Sequence, residues 1–275
     1  MINRTYIVAA KRTPIGSFLG GLSTRSAVDL ASLAIKSVLA QAKLNPESID
    51  EVVMGNVLGA GLGQGVGRQA SVNAGIPVPK PAYTLNMICG SGMKTLLNAV
   101  NSVRSGDAHL VIAAGTESMS NAPFVIEGKC RQGNKMGDIT MIDTMLKDGL
   151  TDAFGGFHMG ITAENIAKRY GISREEQDKF ALRSQLRAEQ AIKAGHFHQE
   201  IEPVVIQSRR GDHVVDTDEH PRFGAALESL SDLRPAFDKQ GSVTAGNASG
   251  LNDGAVALIV ASEEAISQHG LTPLV

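Results

Sequence analysis

The chain has 275 residues, 43% of them hydrophobic and 20% charged, with a formal net charge of −2. This balance suits a soluble globular protein of about two domains and offers no basic surface for non-specific nucleic-acid binding. The two cysteines, Cys89 and Cys130, make no disulfide framework and suit a reducing cytosol, the N-terminal apolar run is too short for a signal peptide, and no uncharged apolar stretch is long enough for a membrane span.

Residues 6–10 read as a short apolar strand, ended by Lys11, Arg12 and a turn around Pro14 and Gly16. Ser23 or Thr24 is placed to cap a helix running to about Lys43, because Ala27, Leu30, Ala31, Ala34, Val38 and Ala42 keep helical spacing. Asn45-Pro46 stops it. Residues 52–58 form the next predicted strand, followed by a glycine-rich stretch over 55–67 and a short helix closed by Gly75. The glycines carry no Gly-Lys-Ser/Thr and no Gly-x-Gly-x-x-Gly that opens a helix, so packing or an interface is the expected role rather than phosphate binding.

The stretch Tyr83-Thr-Leu-Asn-Met-Ile-Cys89-Gly-Ser-Gly-Met-Lys-Thr-Leu-Leu97 carries the chemistry. It reads as strand, sharp turn and helix, with Cys89 on the turn and Met93, Leu96, Leu97, Val100 and Val103 along one helical face. Unpaired N–H groups and the dipole at a helix N-terminus favour a thiolate, which is the nucleophilic form. Gly90 and Gly92 leave the sulfur uncovered, as in a serine nucleophile elbow. The plainer reading is a small buried hydrophobe. Cys130 has no such turn and reads as inert.

Residues 109–114 form a buried strand, and the alternation of strands and helices predicts a mostly parallel sheet with helices on both faces. From 117 to about 149 there is no clean period; Lys129, Arg131 and Lys135 make the segment locally basic, fit for a solvated, subunit-contact or anionic-substrate loop. Helices follow over 162–170 and from the capping box Ser173-x-x-Glu176 to Ala194. Residues 204–206 and 214–215 are short strands, and 255–261 is a strand fit to return to the first sheet. His196-x-His198, with no third ligand, is a weak metal signal.

Four stretches together identify a family. They are Lys11-Arg-Thr-Pro-Ile-Gly16, Leu85-Asn-Met-Ile-Cys-Gly-Ser-Gly92, Phe157-His-Met-Gly160, and Leu233-Arg-Pro-Ala-Phe with Thr244-Ala-Gly-Asn-Ala-Ser-Gly-Leu-Asn-Asp-Gly254. The chain resembles the thiolases, specifically the biosynthetic acetyl-CoA acetyltransferases, in order along its whole length. The resemblance implies an α/β fold: a βαβαβαββ half with a mixed, mostly parallel sheet and an inserted α+β loop domain. It divides the chain into an N-terminal domain (1–118 plus 249–270), a loop domain covering the substrate (119–248) and the start of a C-terminal domain (271–275). It also implies that the rest of that C-terminal half, with a histidine, an asparagine and a second cysteine of the family, lies outside these residues. The 275-residue chain alone is then expected to be inactive in condensation.

By the same resemblance Cys89 is the acylated nucleophile. Leu150, His158, Met159, Arg222, Ser229, Phe237, Ala245 and Ser249 are the coenzyme A and acyl contacts; Arg222 is flanked by Pro221 and Phe223, unlike the family pattern. The implied reaction joins two acetyl-CoA into acetoacetyl-CoA and CoA, or the reverse, through acyl-Cys89. It needs no metal or redox cofactor, since coenzyme A is part of the substrate. The implied enzyme is cytoplasmic and a homodimer or homotetramer. The alternatives are a non-catalytic acyl-CoA-binding or self-associating fragment and a degradative 3-ketoacyl-CoA thiolase.

Overall fold

The computed structural model describes residues 4–209 and 211–275. In chain order its elements are β1 (Thr5–Arg12), β2 (Gly16–Ser17), α1 (Ala27–Ala42), β3 (Glu51–Gly55), α2 (Val66–Asn73), β4 (Ala82–Leu85), α3 (Ser91–Ser105) and β5 (Leu110–Ser118). Then come β6 (Phe124–Val125), β7 (Ile142–Asp143), α4 (Met159–Tyr170), α5 (Arg174–Lys193), β8 (Val204–Ile206), β9 (His213–Val215), α6 (Leu227–Ser231), β10 (Asn252–Ser262) and α7 (Glu263–His269).

Contacts divide the chain into two compact units. The first holds Met1–Ala122, Glu200–Thr217 and Asn252–Val275; the second holds Pro123–Gln199 and Asp218–Leu251. The hairpin of β8 and β9, expected in the inserted domain, belongs to the first unit. Its Val204 and Val215 are buried in that unit's core, and two such short strands have no core of their own to join. Residues 274–275 pair with β1, Leu274 donating to the Ile7 carbonyl at 2.7 Å and Ile7 to that of Val275 at 2.9 Å.

The first unit is built on one sheet of order β1-β10-β5-β3-β4, with β2 also pairing β10. β3 is parallel to β4 and β5, while β10 is antiparallel to both β1 and β5. Since β2 is antiparallel to β10 as well, five strands, β1 to β5, run one way, with β10 inserted against them. Side chains alternate across the sheet as the pleat requires. Val52, Met54, Ile112, Ala114, Ala257 and Ile259 share a core with Leu30, Ala31, Ala34, Ile35 and Val38 of α1. Val53, Val111, Ala113 and Val260 face the other way, onto Ala99 and Val103 of α3.

Several ends differ from the sequence reading. Ser26, not Ser23 or Thr24, caps α1, because Asp29 completes a capping box with it. β3 ends at Gly55: Asn56 N–H still reaches the Leu85 carbonyl at 3.1 Å, but the Val57 and Leu58 N–H groups turn to the Glu117 carboxylate. β5 lies between β10 and β3 and extends to Ser118. Helix α7 follows β10, capped by Ser262, whose hydroxyl accepts the Ala265 N–H at 3.1 Å.

In the second unit, β6 and β7 pair antiparallel, and a π-turn over Met145–Leu150 follows. Ser173 and Glu176 close both halves of the expected capping box at the start of α5.

Candidate active site

Cys89 lies on a turn between β4 and α3, in the first unit. The strand ends at Leu85, four residues before the cysteine, because the chain folds back on itself at once. Ile88 N–H donates to Asn86 Oδ1 at 2.9 Å, and Met87 N–H to Ser91 Oγ at 2.9 Å. Ser91 Oγ donates in turn to the Ile88 carbonyl at 2.6 Å. This clasp holds Ile88 at φ +50°, a left-handed conformation that a β-branched residue adopts at a cost of about 1–2 kcal/mol. Strain of this kind marks turns that must present a side chain in one direction. Here the next side chain is Cys89, which is exposed. The buried-hydrophobe reading is thereby removed.

Two glycines pack closely at and beside the turn, although the Met87 methyl near Gly90 is the free end of an exposed side chain. A Cβ on Gly90 would sit 2.6 Å from the Met87 methyl. A Cβ on Gly55, at the end of β3, would sit 2.9 Å from the Ser91 carbonyl carbon, so Gly55 lets the start of α3 close onto the sheet. Gly90 caps α3 without a side-chain acceptor, and the first helical N–H, that of Ser91, donates back to the Ile88 carbonyl at 2.9 Å.

The second unit holds a cavity of about 780 Å³. Its floor is one face of α4, where Gly160, Ala163, Ile166 and Ala167 recur at helical spacing. Leu146 and Leu150 of the π-turn close one side, and the loop from Val243 to Leu251 closes another. Among these mostly apolar walls stands His158. It caps α4, its Nδ1 accepting the Gly160 N–H at 2.9 Å. The neutral ring therefore carries its proton on Nε2. Phe237 stacks on the imidazole at 4.7 Å between centroids and 19° between planes. A Cβ on Gly160 would fall 2.2 Å from the Phe237 ring, so the missing side chain is what admits the stack.

Six of the eight residues assigned by resemblance to coenzyme A contact line this cavity: Leu150, His158, Met159, Phe237, Ala245 and Ser249. Arg222 and Ser229 do not. Arg222 is exposed with its N–H on Gln185 Oε1 at 2.8 Å, and exposed Ser229 donates its hydroxyl to the Ala226 carbonyl at 2.7 Å. Sequence reasoning missed Gly160, Ala163, Ile166, Gln177, Val243 and Asn247 as lining residues. The i, i+3, i+6 run of small and apolar residues on α4 was the available signal. Cys130 is half-buried in a 3₁₀ turn over Gly128–Gln132. Among the described residues no three His, Cys, Asp or Glu side chains gather as metal ligands, and no helix is long and apolar enough to cross a membrane.

An exposed cysteine on a strained strand-to-helix turn, on a mixed sheet with helices on both faces, is placed as a nucleophile. The thiolase N-terminal domain family matches residues 5–264, and the chain belongs to the thiolase family. It is similar to the acetyl-CoA acetyltransferases of Cupriavidus necator (53% identical over 269 residues, 98% of this chain and 68% of the relative) and Escherichia coli (49% over 268 residues, again 98% and 68%). The solved acetyl-CoA acetyltransferase of Syntrophomonas wolfei superposes with a TM-score of 0.97 at 43% identity, covering all of this chain and 68% of that one.

Proposed function

We propose that the chain supplies the acyl-accepting nucleophile of acetyl-CoA C-acetyl transfer, the reaction in which two acetyl-CoA give acetoacetyl-CoA and CoA, or the reverse. The Cys89 thiolate attacks the carbonyl carbon of acetyl-CoA. The backbone N–H of Cys89 helps to hold the oxyanion so formed. The carbonyl re-forms, the bond to the coenzyme sulfur breaks, and CoA leaves with the proton that the cysteine gave up. A second acetyl-CoA loses a methyl proton to a base, and its enolate carbon attacks the acetyl-Cys89 carbonyl. A carbon–carbon bond forms and the Cys89 thiolate is released. The cavity around His158 takes the pantetheine arm: its apolar walls suit the methylenes, and His158 Nε2–H and Ser249 Oγ offer donors to the arm's amides and carbonyl. The reading needs no resident cofactor, because coenzyme A arrives with the substrate.

The carrying observation is the exposed Cys89 beyond the strained Ile88. Exposed apolar side chains on and before α3, Met87 at 51%, Met93 at 65% and Leu97 at 49%, support a homo-oligomer. A cytoplasmic setting suits two thiols and a coenzyme A substrate. The test is acetylation. After incubation with acetyl-CoA, the peptide containing Cys89 should gain one acetyl group, released by added CoA, while Cys89→Ser gains none. Label on Cys130, or none at all, would remove the acyl-enzyme.

A further inference from the structure

Much of the cavity wall is a loop without regular structure, yet Val243, Ala245, Asn247, Ala248, Ser249, Gly250 and Leu251 all lie along it. Two helices hold that loop with carboxylates. Glu164 of α4 accepts the Ser242 N–H at 2.9 Å and the Val243 N–H at 2.7 Å, both on Oε1. Asp178 is the single fully buried residue of α5, although that helix runs for 20 residues. Its Oδ2 takes Arg174 Nε at 2.7 Å and its Oδ1 takes Asn247 Nδ2 at 2.9 Å.

Both ends of the Asn247 amide are thereby committed to the loop. Nδ2 also donates to the Ser242 carbonyl at 3.1 Å, and Oδ1 accepts the Thr244 N–H at 2.7 Å. Arg174 needs no help from Asn247: its Nη2 donates to the Leu230 and Leu233 carbonyls at 2.7 and 2.9 Å. The ion pair joins α5 to α6, while the Asn247 branch serves only the wall. A buried carboxylate with one oxygen on a guanidinium and the other on an amide has a fixed direction, so it fixes the amide as well.

We propose that Asp178, acting through Asn247, is a positioning residue for the cavity. It sets the Thr244–Ser249 wall, and with it the places of Ala245 and Ser249, against which the pantetheine arm lies. This rests on the coenzyme A reading of the cavity. It goes beyond that reading in naming an acid that touches no substrate as the determinant of affinity.

The experiment uses the full 275-residue chain with coenzyme A as the probe. Asn247→Ala removes the pin and leaves the Arg174–Asp178 pair intact. Asn247→Asp keeps the shape and the acceptor for Thr244 but sets a carboxylate against Asp178. Both variants should raise amide exchange over residues 242–251 and weaken coenzyme A binding by about tenfold each, the scale of one hydrogen bond to a charged group. Alkylation of Cys89 by iodoacetamide, which reads the first unit alone, should stay within about twofold of the parent chain. Wild-type affinity and exchange in the isosteric Asn247→Asp would overturn the pin, since shape alone would then suffice. Faster exchange with unchanged affinity would overturn the link to the ligand. If the parent chain binds no coenzyme A, the coenzyme reading falls, and the exchange comparison still decides whether Asn247 pins the wall.

Discussion

Gly160→Ala tests the cavity from its most crowded point. Glycine inside a helix costs about 1 kcal/mol relative to alanine, so helix propensity alone predicts that this variant is stabilised. Gly160 is the second residue of α4 and has no positive φ, so the backbone accepts alanine without strain. The added methyl would lie 2.2 Å from two ring carbons of Phe237 and 2.4 Å from a third. No side chain tolerates that distance, so Phe237 must leave its place on His158. Forced overpacking costs about 1–3 kcal/mol. Losing an aromatic stack costs about 0.5–1.5 kcal/mol more. Set against the propensity gain, the net change is a loss of about 0.5–3.5 kcal/mol. Urea unfolding with an unchanged slope measures it, and calorimetry with coenzyme A reads the cavity. Binding should weaken, because the displaced ring must go into the space the ligand uses. A Gly160→Ala chain that is more stable than its parent and binds coenzyme A as well would refute the claim that this glycine exists to admit the stack.

Other outcomes follow from particular residues. Iodoacetamide should label exposed Cys89 ahead of half-buried Cys130, and equal rates would count against local presentation of the sulfur. Ile88→Gly should relieve a left-handed β-branched residue and raise stability by up to about 1 kcal/mol while slowing acetylation of Cys89, as a freer turn aims the sulfur less well. A faster acetylation would reverse that argument. Glu117 gives a pH signature. Desolvation lifts its carboxyl above the usual 4.5, although Leu58, Val57 and Asn56 all donate to it. Between the ordinary and the raised value the folded chain holds the proton that the unfolded chain has lost, so this group's contribution to stability falls as pH rises through that window. Glu117→Gln should abolish that slope; a slope that survives would place its origin elsewhere.

Local signals were legible where neighbours in sequence complete a motif. The box of Ser173 and Glu176 closes within four residues, and so does the turn that carries Cys89. Ser26 was missed because Asp29, not Glu or Gln, completes its box. Helix α7 was missed because seven residues hold too little period to count, although Ser262 and the acids of its first turn announced it. Long-range partners left no trace. Glu164 meets Val243 across 79 residues and Asp178 meets Asn247 across 69, and nothing in either local pattern says where such a carboxylate will point. The hairpin of β8 and β9 shows the same limit: two short apolar strands are recognisable, but not the core they will enter.

The place of β10 has a consequence for synthesis. This strand separates β1 from β5 and hydrogen-bonds both, and its Ala255 N–H reaches Thr13 Oγ1 across 242 residues. A ribosome that has made β1 to β5 has therefore made a sheet with a gap in the middle. Until Ser262 is translated, β1 and β5 each keep an open flank, and such flanks recruit strands from other chains. Closing so distant a pair is slow, since the intervening loop must be ordered first. Every residue of the second unit emerges before β10 does, and that unit is compact by its own contacts. Nascent chains stalled just before residue 252 should thus carry a formed insert and an unformed sheet. Those chains are where chaperone binding and aggregation should concentrate.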